Sequence, residues 1–206
     1  MLRGMTHHLR DIRVVTADDV DTAALVFARG FHDDPLWAWG FPDETTRLAQ
    51  QRAFWRFCIE EAIRYPWTFL AADDSTTTCW IPPDGSELSD DGAERFAPLL
   101  SDLLGAGADP VIELFETLGA NHPHAEPHFY LSLFATEPAA RGNGYGQALL
   151  RQNLALIDAV GAGAYLESSN PRNIAMYERQ GFRVIQQVTG PSGCPSFAGL
   201  WRDARS

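Results

Sequence analysis

The stretch Arg141-Gly142-Asn143-Gly144-Tyr145-Gly146 contains three glycines in five positions and is followed by Gln147. Glycines remove side chains from one face of a turn, so several backbone N–H groups can point at one anion. A helix that starts directly after such a turn adds its own unpaired N–H groups and its dipole. We therefore predict a loop that binds phosphate groups, with the Arg141 guanidinium as an additional positive charge.

The segments on both sides of this loop support the prediction. Residues 128–136 are rich in aromatic and apolar side chains and end before Glu137-Pro138, which is typical of a central strand. No Gly-Lys-Ser/Thr follows the loop, and Gln147 stands where the dinucleotide fingerprint has glycine, which excludes both the nucleotide P-loop and that fingerprint. Downstream, apolar residues and one Asn recur at helical spacing: Leu149, Leu150, Asn153, Leu154, Ile157 and Val160.

A second motif follows a predicted strand at residues 164–167. Asn170 opens a short predicted helix that carries Tyr177, and Gly181-Phe182 leads into another strand. Together with the spacing Arg-x-x-Gly-x-Gly, these residues resemble the GCN5-related N-acetyltransferase (GNAT) family, most firmly over residues 129–188. Residues 122–129 and 171–182 are also similar to family members of the puromycin N-acetyltransferase type.

The resemblance implies an α/β fold with a mixed, mostly antiparallel, splayed sheet of about seven strands flanked by helices. Periodicity predicts further strands at residues 12–15, 67–71, 77–81, 183–188 and 197–201. Helices are expected at residues 16–28 and 43–64, with a break at 31–39, and at 90–118, with an interruption near 105–107. We expect one domain over residues 1–206.

In the family, acetyl-CoA is the cosubstrate, and the matching positions here define an expected cofactor site. Strand backbone would bind the pantetheine arm, Asn170 would face that arm, and the glycine loop would bind the pyrophosphate. Asn170 before Pro171 is equally typical of a helix N-cap, and the two roles are compatible. The expected cofactor-binding residues are Phe134, Ala135, Thr136, Arg141, Gly142, Asn143, Gly144, Tyr145, Gly146, Gln147 and Asn170.

Acetyl transfer to an amine needs a neutral nucleophile and a proton for the departing thiolate. The resemblance points to Tyr177 as general acid, because a phenol stays protonated at neutral pH; the alternative is a core tyrosine. Glu167, at the end of its predicted strand, is our candidate base, and the alternative is a carboxylate that orders the Ser168-Ser169 turn. No metal ligand set is expected.

The acceptor is expected to be the primary amine of a small molecule, with antibiotic-like amines among the candidates. The family builds its acceptor pocket from regions that here contain Asp33, Asp34, Trp37 and His128. Asp33-Asp34-Pro35 is also typical of a helix end, and His128 of a packing residue. A non-catalytic acyl-CoA-binding or sensing module and a protein N-acetyltransferase are the alternatives.

Composition limits the class of partner and the location. The formal net charge of −11 disfavours nucleic acid as a partner. We expect no membrane span, and residues 1–8 lack the apolar core of a secretory signal. The three cysteines are odd in number and widely spaced, which favours reduced thiols and a cytoplasmic location. The sequence leaves monomer and homodimer open.

Overall fold

The structure is a computed structural model and describes residues 12–205, so the N-terminal residues 1–8 and part of the predicted domain 1–206 lie outside it. The strands are β1 (Ile12–Val14), β2 (Thr68–Ala71), β3 (Thr76–Ile81), β4 (His128–Thr136), β5 (Gly163–Ser168), β6 (Arg183–Val188) and β7 (Phe197–Arg202). The helices are α1 (Val20–Phe31), α2 (Pro35–Gly40), α3 (Arg47–Ala62), α4 (Asp90–Leu104), α5 (Ala108–Asn121), α6 (Tyr145–Ala159) and α7 (Ile174–Glu178).

The strands form one sheet in the order β1-β2-β3-β4-β5-β7-β6. Strands β4 and β5 run parallel, and the other neighbouring pairs are antiparallel. Helix α6 connects β4 to β5, as a parallel connection requires. The predicted α/β fold with a mixed, mostly antiparallel sheet of seven strands is therefore confirmed for the described residues.

The sheet opens between β4 and β5. These strands pair only from His128 with Gly163 to Leu131 with Leu166. Beyond that point β5 stays paired with β7, whereas the end of β4, up to Thr136, pairs with β3 alone. One edge of β4 is thus left free inside the molecule, as the predicted splayed sheet requires.

A β-bulge lies at the start of this opening. Cys79 pairs with Leu133 and Trp80 with Leu131, so Ser132 is an extra residue in β4. The extra residue reverses the alternation of side chains. Leu131 belongs to the core on the α6 side of the sheet, whereas Leu133 belongs to the core on the α1 side.

The two cores explain why helices cover both faces of the sheet. One core contains Phe27, Phe54 and Trp55 from α1 and α3. The other contains Leu149 and Leu154 from α6, packed on strand residues that include Trp80. Val160, predicted at the end of the α6 stripe, is 61% exposed because α6 ends before it.

Several helix boundaries differ from prediction, and at two of them an Asp side chain is the reason. Helix α3 begins at Arg47 rather than at Asp43, whose carboxylate accepts hydrogen bonds from the Thr45 N–H (2.9 Å) and hydroxyl (2.7 Å). The predicted break at residues 31–39 contains the short helix α2, because Asp34 is its N-cap and Pro35 its first residue.

Cys58, Cys79 and Cys194 are free, as expected from the sequence. Within residues 12–205, the helices are too short or too polar to span a bilayer.

Candidate active site

A cavity of about 470 Å³ occupies the opening between β4 and β5. The turn between α1 and α2, the free part of β4, the glycine loop and the end of β5 form its walls. The structure therefore brings the two sequence motifs and the predicted acceptor region to one cavity. The predicted site residues that line it are Asp33, Asp34, Trp37, Phe134, Ala135, Thr136, Arg141, Gly142, Gly144, Tyr145, Gly146, Gln147, Glu167, Asn170 and Tyr177.

The glycine loop has the backbone that an anion cradle needs. Gly142 and Gly144 have φ values of +80° and +82°, in the left-handed region that favours glycine, and Gly144 is the N-cap of α6. A Cβ at either position would meet no heavy atom within 4 Å, so this face of the loop is open. Gly146 is different, because a Cβ there would lie 2.9 Å from Thr136 Oγ1. It allows α6 to pack closely on β4.

Arg141 ties the loop to its surroundings. Its Nη2 donates a hydrogen bond to the Gly30 carbonyl (2.6 Å), and its Nε donates to the Thr136 carbonyl (3.2 Å). Gly30 itself sits tightly on β4, since a Cβ there would lie 2.6 Å from Ala135 Cβ. The guanidinium that we predicted as a phosphate ligand thus lines the cavity and also fixes the loop to α1 and β4.

Two predicted site residues do not line the cavity. The Asn143 side chain donates a hydrogen bond to the Ala140 carbonyl (3.3 Å) and is exposed. His128 begins β4 opposite Gly163 and is absent from the cavity lining, so the acceptor role predicted for it is not supported by its position. It is buried, with Nδ1 2.7 Å from the Glu126 carbonyl and Nε2 3.1 Å from His122 Nε2.

Tyr177 lies on α7 and is 6% exposed. Its ring packs against Phe134 and Phe182, with centroids 6.4 Å and 6.0 Å away. Burial, and then the nearby charge of Asp34, raise the pKa of the Tyr177 hydroxyl above its ordinary value of 10. The residue is therefore both a packing residue and a protonated hydroxyl at the cavity wall.

Glu167 stands on β5 where the strands diverge. Burial raises the pKa of its carboxyl, the hydroxyls of Tyr130 and Tyr165 lower it, and the charge of Glu87 raises it, which together give a pKa of about 7. Among the described residues, no group hydrogen-bonds to its buried Oε1. A carboxyl in this environment changes charge near neutral pH, which suits a general base.

The alternative role for Glu167, ordering the Ser168-Ser169 turn, is not what the hydrogen bonds show. The Ser168 hydroxyl donates to the Asn170 carbonyl (3.0 Å), and the Ser169 hydroxyl donates to Asp34 Oδ2 (2.9 Å). The turn is held by contacts that do not involve the Glu167 side chain.

Asp34 links the turn between α1 and α2 to the end of β5. Its Oδ1 accepts hydrogen bonds from the N–H groups of Leu36 (3.1 Å) and Trp37 (3.5 Å), and its Oδ2 accepts from Ser169. Burial raises the pKa of this carboxyl. Asp33, by contrast, has a side chain that is 82% exposed and lies 2.7 Å from His32 Nδ1.

Asn170 lines the cavity and caps the short turn after β5. Its side-chain oxygen accepts a hydrogen bond from the Arg172 N–H (3.1 Å), with Pro171 at the first helical position. Both roles predicted for Asn170 are therefore compatible with its position.

Sequence reasoning missed Tyr130 and Ser169, which also line the cavity. Alternation along β4 groups side chains by face, but the local sequence does not determine that Tyr130 lies opposite Tyr165. Nothing local marks Ser169 as a partner of Asp34, which is 135 positions away in the chain.

Comparison with known proteins agrees with this geometry. Residues 59–182 match the model of the Acetyltransferase (GNAT) family. A Corynebacterium glutamicum structure described as histone acetyltransferase HPA2 and related acetyltransferase has 24% identity, covers 95% of this chain and 96% of its own, and gives a TM-score of 0.72.

Two insect enzymes share the fold at lower identity. Mosquito arylalkylamine N-acetyltransferase like 5b has 12% identity, covers 93% of this chain and 98% of its own, and gives a TM-score of 0.60. Drosophila melanogaster polyamine N acetyltransferase has 13% identity, covers 94% of this chain and 99% of its own, and gives a TM-score of 0.61. Since the family match spans more than half of the chain and the splayed sheet agrees with it, this protein is an acetyltransferase of the GNAT family.

Proposed function

We propose that the protein transfers the acetyl group of acetyl-CoA to the primary amine of a small molecule by direct transfer in a ternary complex. The observation that carries this proposal is the single cavity that connects the glycine loop to Glu167 and Tyr177. A donor held at the loop and an acceptor held at Glu167 would meet at the divergence of β4 and β5. Holding both reactants in one cavity removes much of the entropic barrier to their reaction.

The residues present fit acetyl-CoA. The open face at Gly142 and Gly144, at the start of α6, suits a pyrophosphate, and the free edge of β4 suits the amide groups of an extended pantetheine arm. Asn170 lines the same cavity from the turn after β5. When bound, acetyl-CoA supplies an activated thioester carbonyl and a thiolate leaving group.

Two side chains would then move protons. A primary amine arrives protonated, and Glu167 in its charged form would take the proton that must leave before the nitrogen attacks. Tyr177 would donate its hydroxyl proton to the departing thiolate, since the raised pKa keeps that hydroxyl protonated. The second proton, which the nitrogen loses as the amide forms, would restore the Tyr177 hydroxyl, and Glu167 would release its proton to solvent. Each turnover would thus return one carboxylate and one phenol and release one proton.

The acceptor end of the cavity favours a small amine with an apolar body. Phe31, Trp37 and Phe197 supply apolar walls, and Asp34 and Glu167 supply the carboxyl groups. Carboxylates attract a protonated amine, and aromatic rings favour both apolar groups and cations. The resemblance to enzymes of the puromycin N-acetyltransferase type adds aminonucleosides to the acceptors to be tested.

The decisive experiment is a free-thiol release assay with acetyl-CoA and a panel of amines. The panel contains an aminonucleoside, an arylalkylamine, an aliphatic diamine and peptides with a free α-amine or a lysine. The sequence has 16 arginines and no lysine, so the enzyme offers no ε-amine that could be acetylated as background. We expect turnover with one of the small amines.

The other outcomes identify the alternatives. Turnover with peptides alone would make the protein a protein N-acetyltransferase. Tight binding of acetyl-CoA without turnover on any amine would make it a non-catalytic acyl-CoA-binding or sensing module. We also propose that the enzyme acts in the cytoplasm, which cell fractionation tests. We propose that it is a monomer or homodimer, which sedimentation tests, and that it needs no nucleic acid, membrane or metal.

A further inference from the structure

We propose that Tyr165, oriented by Gln186, is a positioning residue that holds the Glu167 side chain in its charged, proton-accepting form. This inference rests on the proposed function, which makes Glu167 the base. It concerns Tyr165 on β5, Gly199 on β7 and Gln186 on β6, which the proton-transfer scheme above does not use.

The hydrogen bonds of Gln186 fix the direction of the Tyr165 proton. Gln186 Nε2 donates to the Asn121 carbonyl (2.8 Å) and to the Tyr165 hydroxyl oxygen (2.9 Å). A carbonyl oxygen can only accept, so the atom facing it must be the amide nitrogen. The Tyr165 oxygen therefore accepts from Gln186, and its own proton is free for another acceptor.

On this proposal the acceptor is Glu167, because Gly199, which pairs with Glu167, lies against the Tyr165 hydroxyl. Tyr165 and Glu167 are two residues apart on β5, so their side chains lie on the same face of the strand. The hydroxyl of Tyr165 interacts with the Glu167 carboxylate and favours its charged form. Gln186 donates to Tyr165, and the proposal adds donation from Tyr165 to Glu167.

A glycine in the intervening strand makes this arrangement possible. Strand β7 lies between β5 and β6, and its residue Gly199 pairs with Glu167 on one side and with Gln186 on the other. A Cβ at Gly199 would lie 2.7 Å from the Tyr165 hydroxyl and 2.7 Å from Gln186 Cγ. Gln186 therefore reaches Tyr165 across β7 only because residue 199 has no side chain.

Other groups around Glu167 also favour or disfavour the charged form of its carboxyl. Tyr130 on β4 provides a second hydroxyl, whereas Glu87, on the loop after β3, adds negative charge that disfavours the charged form. His122, at the C-terminal end of α5, packs edge-on against the rings of Tyr130 and Tyr165, with centroids 4.8 Å and 5.0 Å away. Burial lowers the pKa of His122 to about 4, so the His122 ring is uncharged at neutral pH and supplies no positive charge.

Removing the Tyr165 hydroxyl should therefore make Glu167 harder to ionise. A hydrogen bond to a charged group contributes enough that its loss is expected to raise the carboxyl pKa by about one unit. We would measure this in two ways: by ¹³C NMR titration of the Glu167 carboxyl, assigned by its absence in Glu167→Gln, and by the acidic limb of the kcat/KM profile.

The variants separate orientation from packing. Tyr165→Phe keeps the ring and should move both the titration and the acidic limb upward by about one pH unit. Gly199→Ala keeps the hydroxyl but displaces it and should shift both in the same direction. Gln186→Met should give a smaller upward shift, because the hydroxyl then rotates freely. The matched control is Gln187→Met, the exposed neighbour on the same strand, which should change neither.

The outcomes that would overturn the proposal are distinct from one another. An unchanged Glu167 titration in Tyr165→Phe, Gly199→Ala and Gln186→Met would reduce Tyr165 to a packing residue and leave the proposed function intact. A wild-type acidic limb in Glu167→Gln would remove Glu167 as the base, and the positioning role with it. If Tyr165→Phe does not fold, Gln186→Met on the edge strand decides the question by the same two measurements.

Discussion

Burial and hydrogen bonding act in opposite directions on the carboxyl of Glu167. Desolvation disfavours its charge, whereas the hydroxyls of Tyr130 and Tyr165 favour it, and the resulting pKa of about 7 lies well above the ordinary value of 4.5. A base that titrates near neutral pH is useful for catalysis, but its charged form is costly for the folded protein.

This conflict predicts a stability change in Glu167→Gln. The folded-state pKa is raised, so the folded protein binds the proton more tightly than the unfolded chain, and stability falls as pH rises from about 4.5 to about 7. Gln has no charge to bury. Relative to wild type, the variant should therefore gain about 3 kcal/mol between pH 4.5 and pH 8. Urea unfolding at both pH values measures this, and a constant difference would contradict it.

Tyr177 is buried for packing and also lines the cavity, and one substitution separates these roles. Tyr177→Phe keeps the ring between Phe134 and Phe182 but removes the proton donor. Turnover should fall roughly a hundredfold, with little change in acetyl-CoA affinity. Steady-state kinetics and calorimetry measure these two quantities.

The control for this prediction is Tyr65→Phe, which removes a hydroxyl that does not line the cavity. It should leave turnover unchanged. Equal turnover in wild type and a correctly folded Tyr177→Phe, as judged by thermal melting, would show that Tyr177 is a packing residue only.

At the scale of single elements, the loop before α6 and the end of β4 depend on each other. Arg141 fixes the loop to the backbone of β4 and α1, and Gly146 lets α6 approach Thr136. The bulge at Ser132 then sets which β4 side chains face α1 and which face α6. These contacts therefore tie the glycine loop to the free edge of β4.

For the loop before α6, we predict that Gly144→Val weakens the binding of acetyl-CoA. Val at this position must adopt a φ of +82°, which is unfavourable for a β-branched residue, and its side chain would enter the open face of the cradle. Acetyl-CoA affinity in Gly144→Val should fall tenfold or more, which corresponds to about 1.4 kcal/mol or more.

Calorimetry measures that affinity, and Gly105→Val is the matched control. Gly105 also has a positive φ (+55°) and open space around it, but it lies between α4 and α5, outside the cavity lining. Its substitution should reduce stability without reducing affinity. Wild-type affinity in a folded Gly144→Val protein would refute the loop assignment.

At the scale of the whole molecule, the cavity lies where the two hydrophobic cores meet the opening of the sheet. Leu133 and Ala135 belong to the core on the α1 side, and Leu166 and Tyr177 belong to the core on the α6 side; all four line the cavity. A ligand that contacts both sides should therefore stabilise the folded chain as a unit.

Acetyl-CoA should consequently raise the melting temperature. At a concentration of about 100 times its Kd, a ligand that binds only the folded state adds about 2.7 kcal/mol. For a chain of this length that is a rise of roughly 5–10 °C. Differential scanning calorimetry measures it, free CoA and adenosine serve as comparisons, and the absence of any shift with acetyl-CoA would contradict the proposed cofactor.

The features that the sequence by itself determined are those specified by local backbone chemistry. Glycines at residues 142 and 144 permit the left-handed turn, Asn170 before Pro171 starts the short turn after β5, and alternation of apolar residues marks the strands. Each depends on neighbours a few positions away, and the mixed, splayed sheet then follows from the resemblance. Most of the predicted site residues line the cavity for the same reason.

Only the tertiary structure decided what surrounds each side chain. Tyr130 lies next to the last β4–β5 pair and lines the cavity, whereas His128, at the other end of that pairing, does not. The contact of Gln186 with Tyr165 crosses an intervening strand over Gly199. Strand register and burial arise from contacts between residues distant in sequence, and a carboxyl's pKa depends on that burial. Local pattern therefore identified Glu167, and the fold determined its charge.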